Sequence, residues 1–389
     1  MIPNKYEFSV PTKIIFGSGV IKEAGSKAKE LNAKKILIVA GENVRKAGLT
    51  KDVETSLTAV GIPYVYFSEF VPNPRDYTCN KGYEFAKKEK VDTVIAVGGG
   101  SAMDTAKAIA TLLTNGGDVL DWCGADLLKT DMAPLIAIPT TAGTGSEVTP
   151  FAVVTDSKTQ TKLNILDMRV TPKYALVDPH VLLNLPPHIM AATGIDAMTH
   201  AVEAYTCTVA NPHTDVYALY AIRLISSNLR QAVNNPDLES CTGMMLGSNT
   251  AGIAFGFADV AAVHCMAEAL GGMYDMAHGV ANAVLLPTVS NWNIPANTKK
   301  YADVAVALGL DTSRMSDNEA AHAGVAELEK LCRDVGIPKL KDLPAINTAD
   351  FPALAAAAAE NVSVNSNPRK VSADDFLKLF KKAYEGYDD

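Results

Sequence analysis

The sequence lacks several features that would indicate particular classes of protein. Its 389 residues contain 35 Lys and Arg against 43 Asp and Glu, and the net charge of -8 argues against nucleic acid or an anionic membrane as a main partner. No apolar run approaches the length of a membrane span. Residues 1–6 contain no apolar signal-peptide core, so we expect a cytoplasmic protein.

Paired cysteine motifs, internal repeats and low-complexity tails are also missing. The six cysteines are scattered and include no CxxC pair, which excludes a zinc ribbon or a disulfide framework and predicts reduced thiols. A hydrophobic fraction of 48% and a charged fraction of 20% are ordinary values for a globular protein. The length is sufficient for two domains.

The order of strand and helix signals predicts two domains of different class. In the first half, strand-length apolar runs alternate with helical segments, and their lack of polar alternation indicates a parallel sheet covered on both faces. After residue 185 the strand signals nearly vanish. We predict a Rossmann-like α/β domain at residues 1–184 and an all-helical domain at residues 185–389. The predicted strands lie at residues 36–40, 64–67, 93–97 and 135–139, with further candidates at 151–155 and 175–178; the predicted helices include 53–60, 80–89, 102–113, 215–233, 240–254, 318–335, 353–359 and 373–384.

The chemistry-bearing residues of the second half are an aspartate and three histidines. Asp196 and His200 are four positions apart in a helical stretch, so both lie on one face and can bind the same cation. His264 and His278 lie among small and apolar residues, where an unpaired imidazole would be costly. The four residues form a candidate metal site. The spacing leaves open the alternative of a helix-start aspartate and three hydrogen-bonded core histidines.

Two loops rich in glycine and hydroxyl groups follow predicted strands in the first half. Glycines at such turns let the backbone approach a ligand, and free N–H groups at a helix start attract phosphate. Neighbouring parallel strands end at one edge, so the loops predict a dinucleotide pyrophosphate site. The alternatives are plain strand-to-helix turns with Asp104 as a capping residue and Lys162 in solvent, and the GxGxxG motif is absent. The candidate residues are Gly98, Gly99, Gly100, Ser101 and Asp104 in the first loop, Thr140, Thr141 and Thr144 in the second, and Lys162 as an added positive charge.

Four ordered motifs, at residues 98–107, 139–147, 194–203 and 278–282, together resemble the iron-activated (group III) alcohol dehydrogenases. That family includes lactaldehyde reductases, propanediol dehydrogenases and bacterial methanol dehydrogenases. The resemblance covers nearly the whole chain and implies a divalent metal, usually iron and sometimes zinc, in a cleft between the domains. It implies homodimers or larger assemblies. It also implies metal ligands at Asp196, His200, His264 and His278, and NAD(P) contacts at Asn73, Gly98, Gly99, Gly100, Ser101, Asp104, Thr140, Thr141, Thr144 and Lys162.

Two positions depart from the family pattern. Many members carry an aspartate after the first Rossmann-like strand, where it disfavours a 2′-phosphate. Gly41 stands there, so NADP should be tolerated beside NAD unless Glu42 takes over that role. Many members also have a second histidine four residues after the match to His264, where this chain has Glu268. Glu268 is the candidate catalytic residue. It would orient a ligand histidine, relay a proton, or take no part in the chemistry.

The expected activity is hydride transfer between NAD(P) and a small primary alcohol or aldehyde, with a metal as Lewis acid on the reacting oxygen. One carboxylate and three imidazoles favour Fe²⁺ or Zn²⁺ over Mg²⁺. The alternatives are a glycerol-dehydrogenase-like or dehydroquinate-synthase-like enzyme, a metal-dependent hydrolase without a redox cofactor, and a non-catalytic binding protein. Phe151, Phe255 and Phe257 are candidates for the substrate pocket, although such residues are more often plain core.

Overall fold

The computed structural model describes residues 5–386, so residues 1–4 and 387–389 of the predicted domains lie outside the described range. The chain forms two compact units. The α/β unit contains residues 10–141 and 145–184, and the helical unit contains residues 5–9, 142–144 and 185–386. The predicted order of an α/β fold followed by an all-helical fold is confirmed, while the limits at residues 184 and 185 stay a prediction.

Two short stretches from the first half belong to the helical unit, and their packing explains why. The Phe8 ring stacks on that of His213 with 5.1 Å between centroids and meets the Phe257 ring edge-on at 5.4 Å. Gly143 lies against Thr193 of the helical unit, so closely that an added Cβ would be 2.8 Å from the Thr193 Cβ. Neither contact follows from local sequence patterns.

The α/β unit contains nine strands in two sheets. The larger sheet has six strands in the order β1-β9-β6-β4-β2-β3, all paired in parallel. The smaller sheet has the order β5-β8-β7, with β7 and β8 antiparallel. The strands are β1 (Lys13–Phe16), β2 (Ile36–Ala40), β3 (Tyr64–Phe67), β4 (Thr93–Gly98), β5 (Gly124–Ala125), β6 (Leu135–Pro139), β7 (Phe151–Asp156), β8 (Thr161–Leu166) and β9 (Tyr174–Val177).

Three of the strands that were predicted from the sequence are fully buried. Every residue of β2, β4 and β6 is buried, which agrees with uninterrupted apolar runs in the middle of a covered parallel sheet. The candidate strand at 151–155 is confirmed as β7, but it lies in the smaller sheet. Its partner β8 was not predicted, because its sequence TKLNIL has an exposed, polar beginning. The edge strand β1 was also missed, since four residues give little pattern.

Five α-helices accompany these strands. Three of them, α3, α4 and α5, lie within a few residues of the predicted helices at 53–60, 80–89 and 102–113, and α1 and α2 were not predicted. Helix α5 begins within two residues of the end of β4, which places the first glycine-rich loop at the edge of the sheet. The helices are α1 (Ala24–Glu30), α2 (Glu42–Lys46), α3 (Lys51–Ala59), α4 (Asp76–Lys88) and α5 (Gly100–Asn115).

The helical unit is organised around one buried helix, α6. From residue 194 to residue 206 every residue of α6 is buried, and the helix packs against α7, α8 and α10. None of the helices among residues 5–386 is long and apolar enough to cross a membrane. The helices are α6 (Pro187–Thr206), α7 (Pro212–Asn234), α8 (Leu238–Gly256), α9 (Ala262–Tyr274), α10 (His278–Asn293), α11 (Thr298–Ala307), α12 (Asp317–Asp334), α13 (Phe351–Ala359) and α14 (Ala373–Glu385).

Candidate metal centre and nucleotide-binding loops

Three helices of the helical unit bring the predicted metal ligands together. Asp196 and His200 lie one turn apart on α6, His264 lies in the first turn of α9, and His278 is the first residue of α10. Each side chain offers one ligand atom, and these four atoms all lie within 4.8 Å of one another. One ion can therefore contact all four groups after only small side-chain adjustments.

The histidine rings are packed face to face or tilted around this point. The centroids of His200 and His264 are 4.6 Å apart, and those of His264 and His278 are 5.3 Å apart. The Phe255 ring stacks on His200 with 4.1 Å between centroids and so fixes the plane of that imidazole. Asp196, His200 and His264 are buried, whereas the side chain of His278 is 27% exposed. Within the helical unit, the cluster is therefore most accessible beside His278.

A glycine allows α10 to approach α6 closely enough to form the cluster. A Cβ placed on Gly279 would lie 2.5 Å from the carbonyl oxygen of Ala192, a distance that a real side chain cannot tolerate. Because Gly279 directly follows His278, this contact fixes the position of the His278 ring relative to α6. His278 Nε2 lies 3.7 Å from Asp196 Oδ1. The family motif at residues 278–282 thus includes a packing requirement as well as a ligand.

The hydrogen bonds of Asn282 test whether these residues suit a cation. The Nδ2 of Asn282 lies 2.7 Å from Asp196 Oδ1 and 3.2 Å from the Nε2 atoms of both His264 and His278. An amide nitrogen has two hydrogens and cannot serve three acceptors, so one of these lone pairs lacks a donor. The Oδ1 of Asn282 is buried and has no hydrogen-bond partner among residues 5–386. Acceptors converging in this way, from one carboxylate and three imidazoles, fit a divalent transition metal.

Electrostatics keep at least one imidazole neutral and able to bind a metal. Burial lowers the pKa of His200 to about 3; the charge of Asp196 opposes the shift, and His264 and His278 add to it. For His264, burial also lowers the pKa, but the hydrogen bond and charge of Glu203 outweigh it and leave the pKa raised. The two buried rings therefore differ because only His264 has a carboxylate on its Nδ1.

Glu268 and Glu203 have different hydrogen-bond partners near His264. It lies one turn after His264 on α9, half-buried, and its Oε2 accepts a hydrogen bond from Asn361 Nδ2 at 2.6 Å. The Nδ1 of His264 is bonded instead to Glu203 Oε2 at 2.6 Å. Glu203, and not Glu268, therefore contacts Nδ1 of His264. The three hypotheses for Glu268, that it orients a ligand histidine, relays a proton or takes no part in the chemistry, stay open.

Sequence reasoning missed Glu203 and Asn282, although both carried a signal. Glu203 is seven positions after Asp196 and three after His200, so all three lie on one face of α6. Asn282 is four positions after His278 and lies on the same face of α10. A helical-wheel reading of each ligand helix would have found them.

In the α/β unit, the two glycine-rich loops lie side by side. Strands β4 and β6 pair with Gly98 opposite Pro139, and the Thr140 N–H donates to the Gly98 carbonyl at 3.0 Å. Gly98 has a φ of 159°, and a Cβ there would be 2.6 Å from the Ala102 Cβ, so the turn requires glycine. A Cβ on Gly99 would lie 3.0 Å from Thr141 Oγ1. The loops thus form a backbone surface at the start of α5, where phosphate groups bind well.

Asp104 lies on α5 and bonds to a residue of the smaller sheet, and Lys162 lies in strand β8 of that sheet. Asp104 accepts hydrogen bonds from Ser146 Oγ at 2.8 Å and from the Val153 N–H at 3.3 Å. Burial raises its pKa, and the charges of Lys107 and Lys162 oppose that rise. Both carboxylate oxygens of Asp104 are thus engaged within the unit, which favours a role in bracing the loop.

The remaining predicted cofactor residues lie on separate elements. Gly41 directly follows β2, the strand that pairs with β4, and is the N-cap residue of α2. Gly100 and Ser101 open α5, and Asn73 has a left-handed backbone with a φ of 52°. Thr144 belongs to the helical unit. Of the aromatic candidates, Phe255 contacts the metal cluster, Phe257 packs on Phe8, and the Phe151 carbonyl accepts from Lys107.

Comparisons with known proteins give the same result for both halves of the chain. Residues 11–179 match the family described as "Iron-containing alcohol dehydrogenase", and residues 190–384 match its C-terminal counterpart. The chain is 41% identical over 383 residues to a 1,3-propanediol dehydrogenase of Citrobacter freundii, covering 97% of this chain and 99% of that protein. It is 36% identical over 377 residues to an NAD-dependent methanol dehydrogenase of Bacillus methanolicus, with the same coverage of 97% and 99%.

Solved structures agree with these sequence matches. The alcohol dehydrogenase from Oenococcus oeni superposes with a TM-score of 0.94 at 39% identity, covering 98% of this chain and 100% of that chain. At this level the likeness extends to the order and packing of the elements in both units.

Proposed function

The chain belongs to the iron-containing alcohol dehydrogenase family and is an oxidoreductase, and we propose that it transfers hydride between NAD and a short primary alcohol or aldehyde with Fe²⁺ bound by Asp196, His200, His264 and His278. The observation that carries this proposal is the convergence of the four ligand atoms within 4.8 Å. The Fe²⁺ would supply Lewis-acid polarisation of the substrate oxygen.

The residues of the site would hold the ion and shield it. Asp196 supplies the negative charge, and burial of His200 keeps one imidazole neutral at physiological pH. Asn282 holds Asp196 Oδ1 in place through a 2.7 Å hydrogen bond. The stacked Phe255 ring covers His200 and would exclude water from that side.

The cofactor proposal rests on the two adjacent loops of the α/β unit. Gly98, Gly99 and Gly100 would let the pyrophosphate of NAD approach the first N–H groups of α5, and the hydroxyl groups of Ser101, Thr140 and Thr141 would bond its oxygens. Thr144 stays a predicted contact. Asn73 and Lys162 are proposed as further contacts, and Asp104 as the brace of the loop. The NAD-dependent activity named for the Bacillus methanolicus relative supports this cofactor.

The substrate proposal rests on two relatives and on the aromatic side chain beside the cluster. These curated relatives are named for 1,3-propanediol and for methanol, both short primary alcohols. Phe255 is the aromatic side chain in contact with a ligand histidine, and we propose that it limits the length of the carbon chain. A homo-oligomeric state and a cytoplasmic location stay predictions.

A reductase assay tests this function. Metal-free protein is loaded with Fe²⁺ or Zn²⁺ without oxygen, and NADH oxidation is followed by absorbance with aldehydes of increasing length. We expect turnover only after loading, with short aldehydes preferred. Absence of any nicotinamide change with every aldehyde and alcohol, in protein that contains one metal per chain, would favour a hydrolase instead.

Gly41 tests the position of the adenine ribose. A Cβ at Gly41 would meet only Phe70 Cζ, at 3.7 Å, so aspartate fits without strain. Gly41→Asp should lower the efficiency with NADP relative to NAD by about tenfold or more, because a carboxylate repels a 2′-phosphate. Glu42→Gln is the control, since Glu42 is exposed and paired with Lys46. An unchanged cofactor ratio in Gly41→Asp would place the ribose elsewhere.

Glu268 tests the proton route. Glu268→Gln can still accept the hydrogen bond from Asn361, so the local structure should survive. If Glu268 relays protons, as we propose, kcat should fall by about tenfold or more and the pH profile should change, with normal metal content. Asn361→Ala, which keeps the carboxylate, should cost much less. A normal rate and pH profile in Glu268→Gln would show that Glu268 takes no part.

A further inference from the structure

We propose that Glu203 is a positioning residue for the metal site: it fixes both the start of α9 and the ring of His264, so that His264 presents Nε2 to the ion. This inference rests on the proposed metal site. It assigns a function to a buried carboxylate that neither binds the ion nor touches substrate in the proposed reaction.

The contacts of Glu203 are unusually concentrated at one helix end. Its Oε2 lies 2.6 Å from His264 Nδ1 and accepts from the Ala261 N–H at 2.9 Å. Its Oε1 accepts from the Val263 N–H at 2.7 Å. The His264 N–H lies 3.4 Å from Oε2. Glu203 itself is buried.

Helix α9 needs such a partner because its own sequence gives it none. The residue at its N-cap is Ala261, which has no side-chain acceptor, and α9 has no side-chain cap of its own. The first N–H groups of a helix lack partners inside the helix, and leaving them unpaired in a buried position costs free energy. The carboxylate of Glu203, from the neighbouring α6, accepts from the N–H groups of Ala261 and Val263, and its charge suits the positive end of the helix dipole. The Ala262 N–H donates to Asn367 Oδ1 at 3.3 Å instead.

The same carboxylate sets the chemistry of the His264 ring. An acceptor at Nδ1 holds the ring proton there and leaves the lone pair on Nε2. Nε2 is the atom that faces the cluster, since it lies 3.2 Å from the Asn282 Nδ2 that also contacts Asp196 and His278. Glu203 therefore determines which nitrogen faces the ion and in which direction it points.

Charge and helix geometry support this role. Asp196 and Glu203 together would balance the two positive charges of a divalent ion in a buried site. Both carboxylates project from α6, seven positions apart, so one rigid helix sets the distance between the ligand Asp196 and the support of His264. A shift of α9 against α6 would break the cap and the ligand geometry together.

The competing explanation is that Glu203 only caps α9 and has no effect on metal binding. The variant Glu203→Gln distinguishes a cap alone from a residue that also positions His264. The amide oxygen can still accept a backbone N–H, so much of the cap survives. The amide NH₂ would face His264 Nδ1 as a donor, which favours the tautomer with its proton on Nε2 and blocks the ligand atom. Loss of such a partner typically weakens metal binding 10- to 100-fold.

The experiment is a titration of metal-free protein with Zn²⁺ against a competing chelator, with the visible spectrum of the Co²⁺ form as a second readout. Tyr205→Phe is the matched control, because it removes a partly buried hydrogen bond from α6 to Asp303 and leaves the four ligand residues unchanged. We expect about 10- to 100-fold weaker Zn²⁺ binding and an altered Co²⁺ spectrum in Glu203→Gln, and wild-type values in Tyr205→Phe. Wild-type affinity and spectrum in a folded Glu203→Gln would overturn the proposal.

A second measurement needs no Glu203 variant and keeps the proposal testable if Glu203→Gln does not fold. In zinc-loaded wild-type protein labelled with ¹⁵N-histidine, the His264 ring should carry its proton on Nδ1 and the metal on Nε2. Zinc on Nδ1 of His264 would contradict the inference. If the wild-type protein and His264→Ala bind Zn²⁺ equally, the proposed metal site fails instead, which is a different result from a failure of Glu203 alone.

Discussion

His264→Ala is expected to lose the metal ion and nearly all turnover while keeping its affinity for NAD. The substitution removes one of four converging ligands and also the ring that Glu203 supports. A Lewis acid stabilises the transition state by several kcal/mol, so kcat should fall about 10³-fold. The proposed NAD loops lie chiefly in the α/β unit, and nucleotide binding should therefore change little.

Metal analysis, calorimetric NAD titration and steady-state kinetics on one preparation measure these effects together. Asp196→Ala and His200→Ala should behave in the same way, because each removes a ligand atom of the same cluster. His322→Ala is a suitable control, since His322 is an exposed histidine on α12 whose ring contacts the Asn318 carbonyl. Full metal content in His264→Ala would refute the ligand assignment.

Lys107→Met is expected to destabilise the α/β unit by roughly 3–5 kcal/mol, the usual cost of removing one partner from a buried charge network. Lys107 is fully buried on α5 and donates to the Thr149 carbonyl at 2.9 Å and to the Phe151 carbonyl at 2.7 Å. Burial lowers the pKa of Lys107 to about 8, and the charges of Asp104 and Glu147 hold it up. Without Lys107, both carbonyls lose this donor and the two carboxylates lose its charge.

Urea and thermal unfolding, followed by circular dichroism, measure this loss. Lys158→Met is the matched control, because Lys158 is an exposed lysine of the same unit and its replacement should change stability by less than about 0.5 kcal/mol. A Lys107→Met protein with wild-type unfolding midpoints would show that the network does not stabilise the unit.

The parts of the site that the sequence predicted are those fixed by local periodicity or by an ordered motif. Asp196 and His200 show their relation directly, because four positions on a helix place them on one face. His264 and His278 have no such local relation; their apolar surroundings marked them as candidates, and the family resemblance linked them to α6. The approach of His278 depends on Gly279 packing against Ala192, a contact between helices that no single segment encodes.

The parts that were missed depend on contacts between distant segments. The bond between Glu203 and His264 joins α6 to α9 over 61 positions, so neither helix predicts it alone. Asp104 was expected as a cofactor contact or as a capping residue, yet its bonds to Ser146 and Val153 depend on how the smaller sheet packs on α5. The glycine-rich loops were found because each directly follows an apolar run whose end is visible in the sequence. Strands β4 and β6 are neighbours in the sheet, so their ends lie together.

Anomalous diffraction at the iron edge, from crystals loaded with Fe²⁺ without oxygen, would locate the bound ion and so test the four-ligand site. We expect a single strong peak per chain, within bonding distance of Asp196, His200, His264 and His278 together. A peak bound by other residues, or no peak in protein that oxidises NADH with short aldehydes, would contradict it.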